Sequence, residues 1–303
     1  MERYFKLAKV SGWDFYTGNT INYRDNIGKI VSPPNANKEL GLCSSGVIHA
    51  SKNINDCFIN AKIPCSAYIV DGDPIECDNQ KCGFVELSII EELTNLDKAF
   101  GWRYSEAVNP VNPLKINAVL ENKHRKLLKQ WSRVRDNIWN SVKNSVKNSA
   151  KNSVIDSVKN SVIDSVKNSV IDIVWDSVRN NVSNSVIDSV KNSVRNNVWN
   201  SVWDSVRNNV SDSVMDSVRN SVWNSVWNSD RDSIRNSVSD SIWAYIGYIF
   251  SPVIKKWAYI DHKEGIYPFQ CCVDLWKAGF VSSYDGKAWR LHTGEKADIV
   301  FEY

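Results

Sequence analysis

Lys159-Asn160-Ser161-Val162-Ile163-Asp164-Ser165-Val166 is written in a four-residue unit, x-[Asn/Asp]-Ser-Val, and that unit recurs from about Trp131 to Ile246 without a single Gly or Pro. An α-helix turns by ~400° over four residues, so the valines of successive units would precess by ~40° and wind around it without forming a straight face. Ser, Asn, Asp and Val are mediocre helix formers, and Ser and Asn compete with the helix for backbone hydrogen bonds. A β-solenoid fits the period better, because four is a multiple of two. Each unit then places Val and Asn/Asp inward and Ser and x outward, with Asn and Asp turning the corners. Three or four units per coil would stack rungs at ~4.8 Å into a rod of ~35 to 45 Å. The alternative, an α-helical array, draws on the missing Gly and Pro and on the helical segment that leads into it.

The x position accepts Lys143, Ile155, Trp175, Ser183, Arg207 and Met215, residues that share neither size nor charge, as an outward position would. The valine column varies little, to Ile138, Ile234 and Ile242, with breaks at Ala150 and Asp230. A buried Asp230 would cost several kcal/mol, so the coil is predicted to be weakest there.

Working outward, residues 1–110 alternate short apolar runs with turn formers and predict a β-rich domain. Ser66–Val70 reads as a strand, Asp71-Gly72-Asp73-Pro74 as a turn, Gly83–Ile90 as a strand and Ile54–Ile59 as a short helix. Residues 111–135 have helical spacing and form a connector, residues 136–250 are the array, and residues 251–303 read as a small α+β module. In that module Val273–Ala278 is a helix stopped by Gly279, and Tyr284-Asp285-Gly286-Lys287 is a hairpin turn. The expected fold class is mainly β: a central tetrapeptide-repeat β-solenoid between these flanking parts.

The Asp/Asn-Ser-Val-x unit resembles arrays in uncharacterised phage and mobile-element proteins. Its logic is similar to that of pentapeptide-repeat solenoids. The tail, Pro268-Phe269-Gln270 with Val273-Asp274-Leu275-Trp276 and then Ser283–His292, resembles the C-terminal module that accompanies such arrays. The resemblance covers roughly the last half of the chain and implies an architecture and a phage or mobile-element setting, with no activity attached. Some pentapeptide-repeat proteins mimic DNA through an acidic face. Lys143, Lys147, Lys151, Arg179, Arg195 and Arg219 at x positions depart from that.

The 303 residues are 43% hydrophobic, and 37 basic against 34 acidic residues leave a net charge of +3. That balance speaks against nucleic-acid binding. The first residues lack the apolar core of a signal peptide and no run reaches the ~18 apolar residues of a membrane span, so a cytoplasmic protein with no membrane span is expected. Seven cysteines, an odd number, then predict reduced thiols.

Chemistry-bearing residues are sparse. Cys43, Cys57, Cys65, Cys77 and Cys82 lack paired metal-ligand spacing, and Asp71, Asp73 and Asp78 lack a calcium-loop pattern. His49 with Tyr68 and Glu86 is the one acid–base candidate of the N-terminal domain, and Cys271, Cys272, His262 and His292 supply groups in the tail. No catalytic residue, metal or cofactor is assigned. The suggestive feature is Trp199, Trp203, Trp223, Trp227 and Trp243 at x positions, interleaved with Arg195, Arg207, Arg219 and Arg231, the residue types that binding surfaces use. The expected function is a non-enzymatic binding or scaffold protein that offers this Trp/Arg surface to a protein partner, in the phage or mobile-element setting a host component. The alternatives are an enzyme with a cryptic site in a terminal domain and a self-assembling structural protein, a homo-oligomer joined end to end through uncovered coil edges.

Overall fold

The repeat array is helical wherever it is described: in the computed structural model Asn122–Ser161 is one α-helix of 40 residues and Asp232–Phe250 another of 19. The structure describes residues 3–39, 41–42, 44–59, 61–161, 232–257 and 260–303. The expected β-solenoid is overturned. Strands among the described residues belong to three small antiparallel sheets, all outside the array, and the described ends of the array are helix. The weak point expected at Asp230 lies outside the described residues. The physical reason lies in the corners: a closed coil must turn sharply, and sharp turns draw on Gly at positive φ, which the array lacks. A helix needs no such residue, and the propensity handicap of Ser, Asn and Val is at most about 0.7 kcal/mol per residue relative to Ala.

The described residues pack as two units, one comprising residues up to Pro110 with Ile249–Ile254, the other the remainder. In the first, β1 (Tyr4–Lys9), β2 (Ile30–Val31), β4 (Cys65–Asp71) and β7 (Leu87–Glu92) make an antiparallel sheet in the order β1-β4-β7-β2. A second sheet has the order β3-β6-β5, from β3 (Ile48–Ala50), β5 (Glu76–Cys77) and β6 (Cys82–Phe84). The run Gly83–Ile90, read as one strand, is thus split at Val85-Glu86 into β6 and β7, which belong to different sheets. Tyr4, Tyr23, Tyr68, Val70, Phe84 and Ile89 share one buried core, with Tyr4 edge-on to Phe84 at 4.9 Å. A 3-10 turn, Ile54–Phe58, occupies the segment read as a short helix.

A second aromatic cluster follows, where α1 (Leu96–Phe100) and α2 (Tyr104–Val108) set Phe100 and Trp102 against Phe58, Tyr104 against Phe100 and Trp102, and Phe250 packs on Trp102 at 5.2 Å. Cys77 and Cys82 face each other across the β5–β6 hairpin and form a disulfide, which corrects the expectation of thiols throughout. Cys57, Cys65, Cys271 and Cys272 are thiols.

In the second unit α3 (Asn122–Ser161) begins where the His124 Nδ1 accepts the Glu121 backbone N–H at 3.0 Å. Its buried positions among those described, His124, Leu128, Trp131, Ser132 and Ile138, fall within one stripe of a packed helix. One unit beyond Ile138 the side chain at Val142 is only half-buried. Strict four-residue spacing rotates each next valine by ~40° out of the contact, in keeping with the lower burial of Val142 than of Ile138. Against this stripe lie α5 (Gln270–Lys277) and the sheet β10-β9-β8, made of β8 (Val281–Tyr284), β9 (Trp289–Thr293) and β10 (Asp298–Glu302). Trp131 meets Phe269 edge-on at 6.2 Å, and Arg135 lies over the rings of Tyr284 and Trp289. Gly279 ends α5 at φ 88°, and a Cβ there would stand 2.8 Å from Ile116 Cβ.

Array residues also enter this core from α4 (Asp232–Phe250), where Asp240, Ser241 and Ile242 are buried. Asp240 pairs with Arg135 at 3.4 Å, and the Ser241 hydroxyl shares a hydrogen bond with Ser282. Burial pushes the Asp240 carboxyl up to about 7, with Arg135 only partly offsetting it. A carboxyl that binds its proton more tightly in the folded state adds most stability at low pH, and that contribution is lost as pH rises from ~4 towards the folded value. Calorimetry of Asp240→Asn between pH 5 and 8 should show a shallower decline in melting temperature than the wild type, the difference lying below pH 7.

Candidate binding site

The strand β1 alternates, so Tyr4, Lys6 and Ala8 share one face, and two of the three are core residues with 1% and 0% exposure. Lys6 therefore occupies an inward register position between two buried neighbours, opposite Tyr68 of β4. The other edge of β1 is bridged at two points, Phe5 with Ser51 and Ala8 with Asp14. The two segments that make these bridges bound a cavity of about 320 Å³ lined by both Lys6 and Leu7.

Asp14 is delivered by a tight turn after β1. Gly12 adopts φ 88°, and a Cβ there would come within 2.4 Å of Asn22 Oδ1, so only glycine fits. The Asp14 carboxylate is fully engaged. Its Oδ1 receives the Lys6 ammonium at 3.0 Å and the Tyr23 hydroxyl at 3.4 Å, and its Oδ2 accepts the backbone N–H groups of Tyr16 at 2.9 Å and Thr17 at 3.1 Å. Burial opposes the charge on Lys6, but the Tyr23 phenol and the Asp14 carboxylate outweigh it and hold the ammonium above its usual pKa. Burial likewise opposes the charge on Asp14, and Lys6 with the two backbone donors overrides it, so this carboxyl sits below its ordinary range. The ion pair is charged across the neutral range.

His49 projects from β3, opposite Gly83 of β6, and lines the same cavity. Its Nε2 hydrogen-bonds the Leu42 carbonyl, which only a protonated nitrogen can do, so in the neutral ring the lone pair falls on Nδ1. Burial lowers its pKa; the Leu42 carbonyl opposes this, while Lys6 and Lys81 reinforce it. The Cys57 thiol donates to the Phe5 carbonyl at 3.0 Å and is pushed up to about 12, chiefly by burial. A thiol held protonated to that extent is no nucleophile at neutral pH.

This grouping differs from the one read in the sequence. Tyr68 is buried in the β4 core and Glu86 is exposed between β6 and β7, and neither lines the cavity with His49. Lys6, Asp14 and Lys81 were passed over, although a lysine in phase with Tyr4 and Ala8 was a visible signal. No group of three His, Cys, Asp or Glu side chains suited to a metal occurs among the described residues, those around Asp71, Asp73 and Asp78 included. In the tail, the His292 Nδ1 engages the Ala297 carbonyl and its Nε2 engages the Ser283 hydroxyl at 2.7 Å. Burial pushes the Cys271 thiol up to about 11 and the Cys272 thiol higher still, and His262 hydrogen-bonds the Trp257 backbone N–H, so no thiol–imidazole pair forms. Of the Trp/Arg set, Trp243 is half-buried on α4. Trp199, Trp203, Trp223, Trp227, Arg195, Arg207, Arg219 and Arg231 lie outside the described residues.

No family model matches this chain, and no curated protein or solved structure matches it either. Among the described residues no helix is long and apolar enough to cross a membrane.

A histidine whose folded pKa is lowered contributes stability that is complete above ~6.5 and is lost as pH falls through the folded value. In His49→Gln, whose amide can still donate to Leu42, chemical denaturation from pH 7.5 to 5 should show a smaller acid loss than in the wild type. An identical pH slope would mean that His49 is not held neutral.

Proposed function

We propose that the chain is a non-enzymatic binding protein whose N-terminal unit takes a small polar molecule into the cavity beside Lys6. The observation that carries this reading is the charged Lys6–Asp14 pair set in the wall of a cavity on an otherwise apolar strand face. A buried ion pair is a weak device for stability, since well-packed apolar residues of similar volume serve as well or better, whereas perturbed charged groups converging on a cavity are the mark of a site. The cavity is of the size that small ligands fill. A binding role is favoured over catalysis because the thiol and the ammonium at the cavity are both held protonated, leaving no activated nucleophile beside the His49 Nδ1. In this proposal the repeat array joins the ligand-binding unit to the C-terminal module, in the phage or mobile-element setting that its sequence resembles.

The test is thermal denaturation of the full chain with inorganic phosphate, citrate, glucose and adenosine, in the wild type and in Ser45→Trp. Ser45 is exposed at the rim, so tryptophan there obstructs the cavity without entering the core. A ligand at 100 times its Kd stabilises by about 2.7 kcal/mol. At least one compound is expected to raise the melting temperature of the wild type and not of the variant. No shift with any of the four, or equal shifts in both proteins, overturns the proposal.

A further inference from the structure

The near balance of charge over the whole chain hides a local excess on α3. Its exposed Lys126, Lys129, Arg133, Lys143 and Lys147 follow one another at intervals of three, four, ten and four residues. At ~100° per residue the five fall within ~100° of arc and make one stripe about 32 Å long. The stripe lies on the side of the helix away from the buried His124, Trp131 and Ile138, and Asp136 is its one carboxylate. Other cations of the helix are spoken for: Lys123 pairs with Glu121, and Arg135 with Asp240. Lys126, Arg133, Lys143 and Lys147 enter no ion pair among the described residues. Like charges three and four residues apart on a helix repel one another, a cost that a polyanion laid along them reverses.

The remaining features of this face select among polyanionic and other partners. From Arg125 to Asn148 every exposed side chain that is described is polar, so the face lacks the aromatic and aliphatic anchors on which protein interfaces depend. The apolar side of the helix is already covered by the C-terminal module, with Trp131 against Phe269 and His124 against Phe280. It is therefore not free to enter a bilayer or a partner's apolar groove. Beside the cations run Gln130, Asn137 and Asn144, exposed and seven residues apart, whose amides match the donor and acceptor on the edge of adenine. A helix of ~10–12 Å diameter enters the ~12 Å major groove of B-form DNA, whereas that of A-form RNA is too narrow for it.

We infer that α3 docks on double-stranded DNA, with Lys126, Lys129, Arg133, Lys143 and Lys147 against a phosphate strand and the neighbouring amides turned to the groove. Phosphate contacts dominate such a surface, so binding is strongly salt-dependent and only weakly selective for sequence. The surface belongs to the second unit and makes no use of the cavity of the first.

The experiment is fluorescence anisotropy of a ~20-base-pair DNA duplex titrated with the full chain, from ~50 to ~200 mM NaCl. Five phosphate contacts at roughly −0.9 each give an expected slope of log affinity against log salt of about −4 to −5. The stripe variant carries Lys126→Gln, Arg133→Gln, Lys143→Gln and Lys147→Gln. A control carries Lys38→Gln, Lys62→Gln, Lys255→Gln and Lys256→Gln, which remove the same charge from exposed positions elsewhere. The stripe variant is expected to bind at least tenfold more weakly with a flatter salt slope, and the control to bind as the wild type does. No binding of the duplex at the lowest salt, a wild-type slope shallower than about −2, or equal losses in the two variants overturns the inference. The slope is read on the unaltered chain, so this arm does not depend on how the variants fold. Tighter binding of an RNA duplex of the same sequence, or binding of phosphatidylserine vesicles in place of DNA, overturns it as well.

Discussion

The Lys6–Asp14 ion pair is the constraint around which the N-terminal unit is organised. A lysine on the core face of a strand is tolerable only if its charge is met, and here the meeting partner is supplied by a glycine-dependent turn that folds back onto the edge of β1. The turn takes Asp14 to Lys6, the Asp14 carboxylate in turn holds the backbone of Tyr16 and Thr17, and these residues form part of the cavity rim. Removing either partner would leave a buried charge unmatched, so strand, turn and cavity stand or fall together.

In the second unit the governing constraint is periodicity. Helix α3 packs through His124, Leu128, Trp131, Ser132 and Ile138, and the next residue in the repeat register, Val142, is only half-buried. The same repeat re-enters a core at Asp240-Ser241-Ile242, where aspartate and serine are buried with hydrogen-bonding partners from α3 and β8. Array residues are thus core-forming at the described ends, and their polar character is accommodated by partners from outside the array.

Local signals were legible in the sequence, and long-range ones were not. The turn at Tyr284-Asp285-Gly286-Lys287 is what its residues demand, with the Asp285 Oδ1 accepting the N–H groups of Lys287 and Ala288. The helix ending at Gly279 follows from the same kind of local rule. The four-residue period is compatible with both a coil side and a helix, and weighting the straight face over the missing corner glycines gave the wrong architecture. The site was hidden because Lys6, Asp14, His49 and Lys81 come from separate strands and turns, and only sheet register brings them together. Cys77 and Cys82 flank a four-residue turn, a spacing that a search for metal pairs passes over.

The central claim is that Lys6 is a charged ammonium locked to Asp14 in the cavity wall. Its most direct test is nitrogen NMR of the full chain labelled at lysine Nζ, with the resonance assigned by its loss in Lys6→Arg. The structure requires one ammonium signal whose protons exchange slowly and persist above pH 9, distinct from the surface lysines. A Lys6 signal that exchanges with water like the others, or that titrates below pH 9, would contradict the ion pair and with it the account of the site.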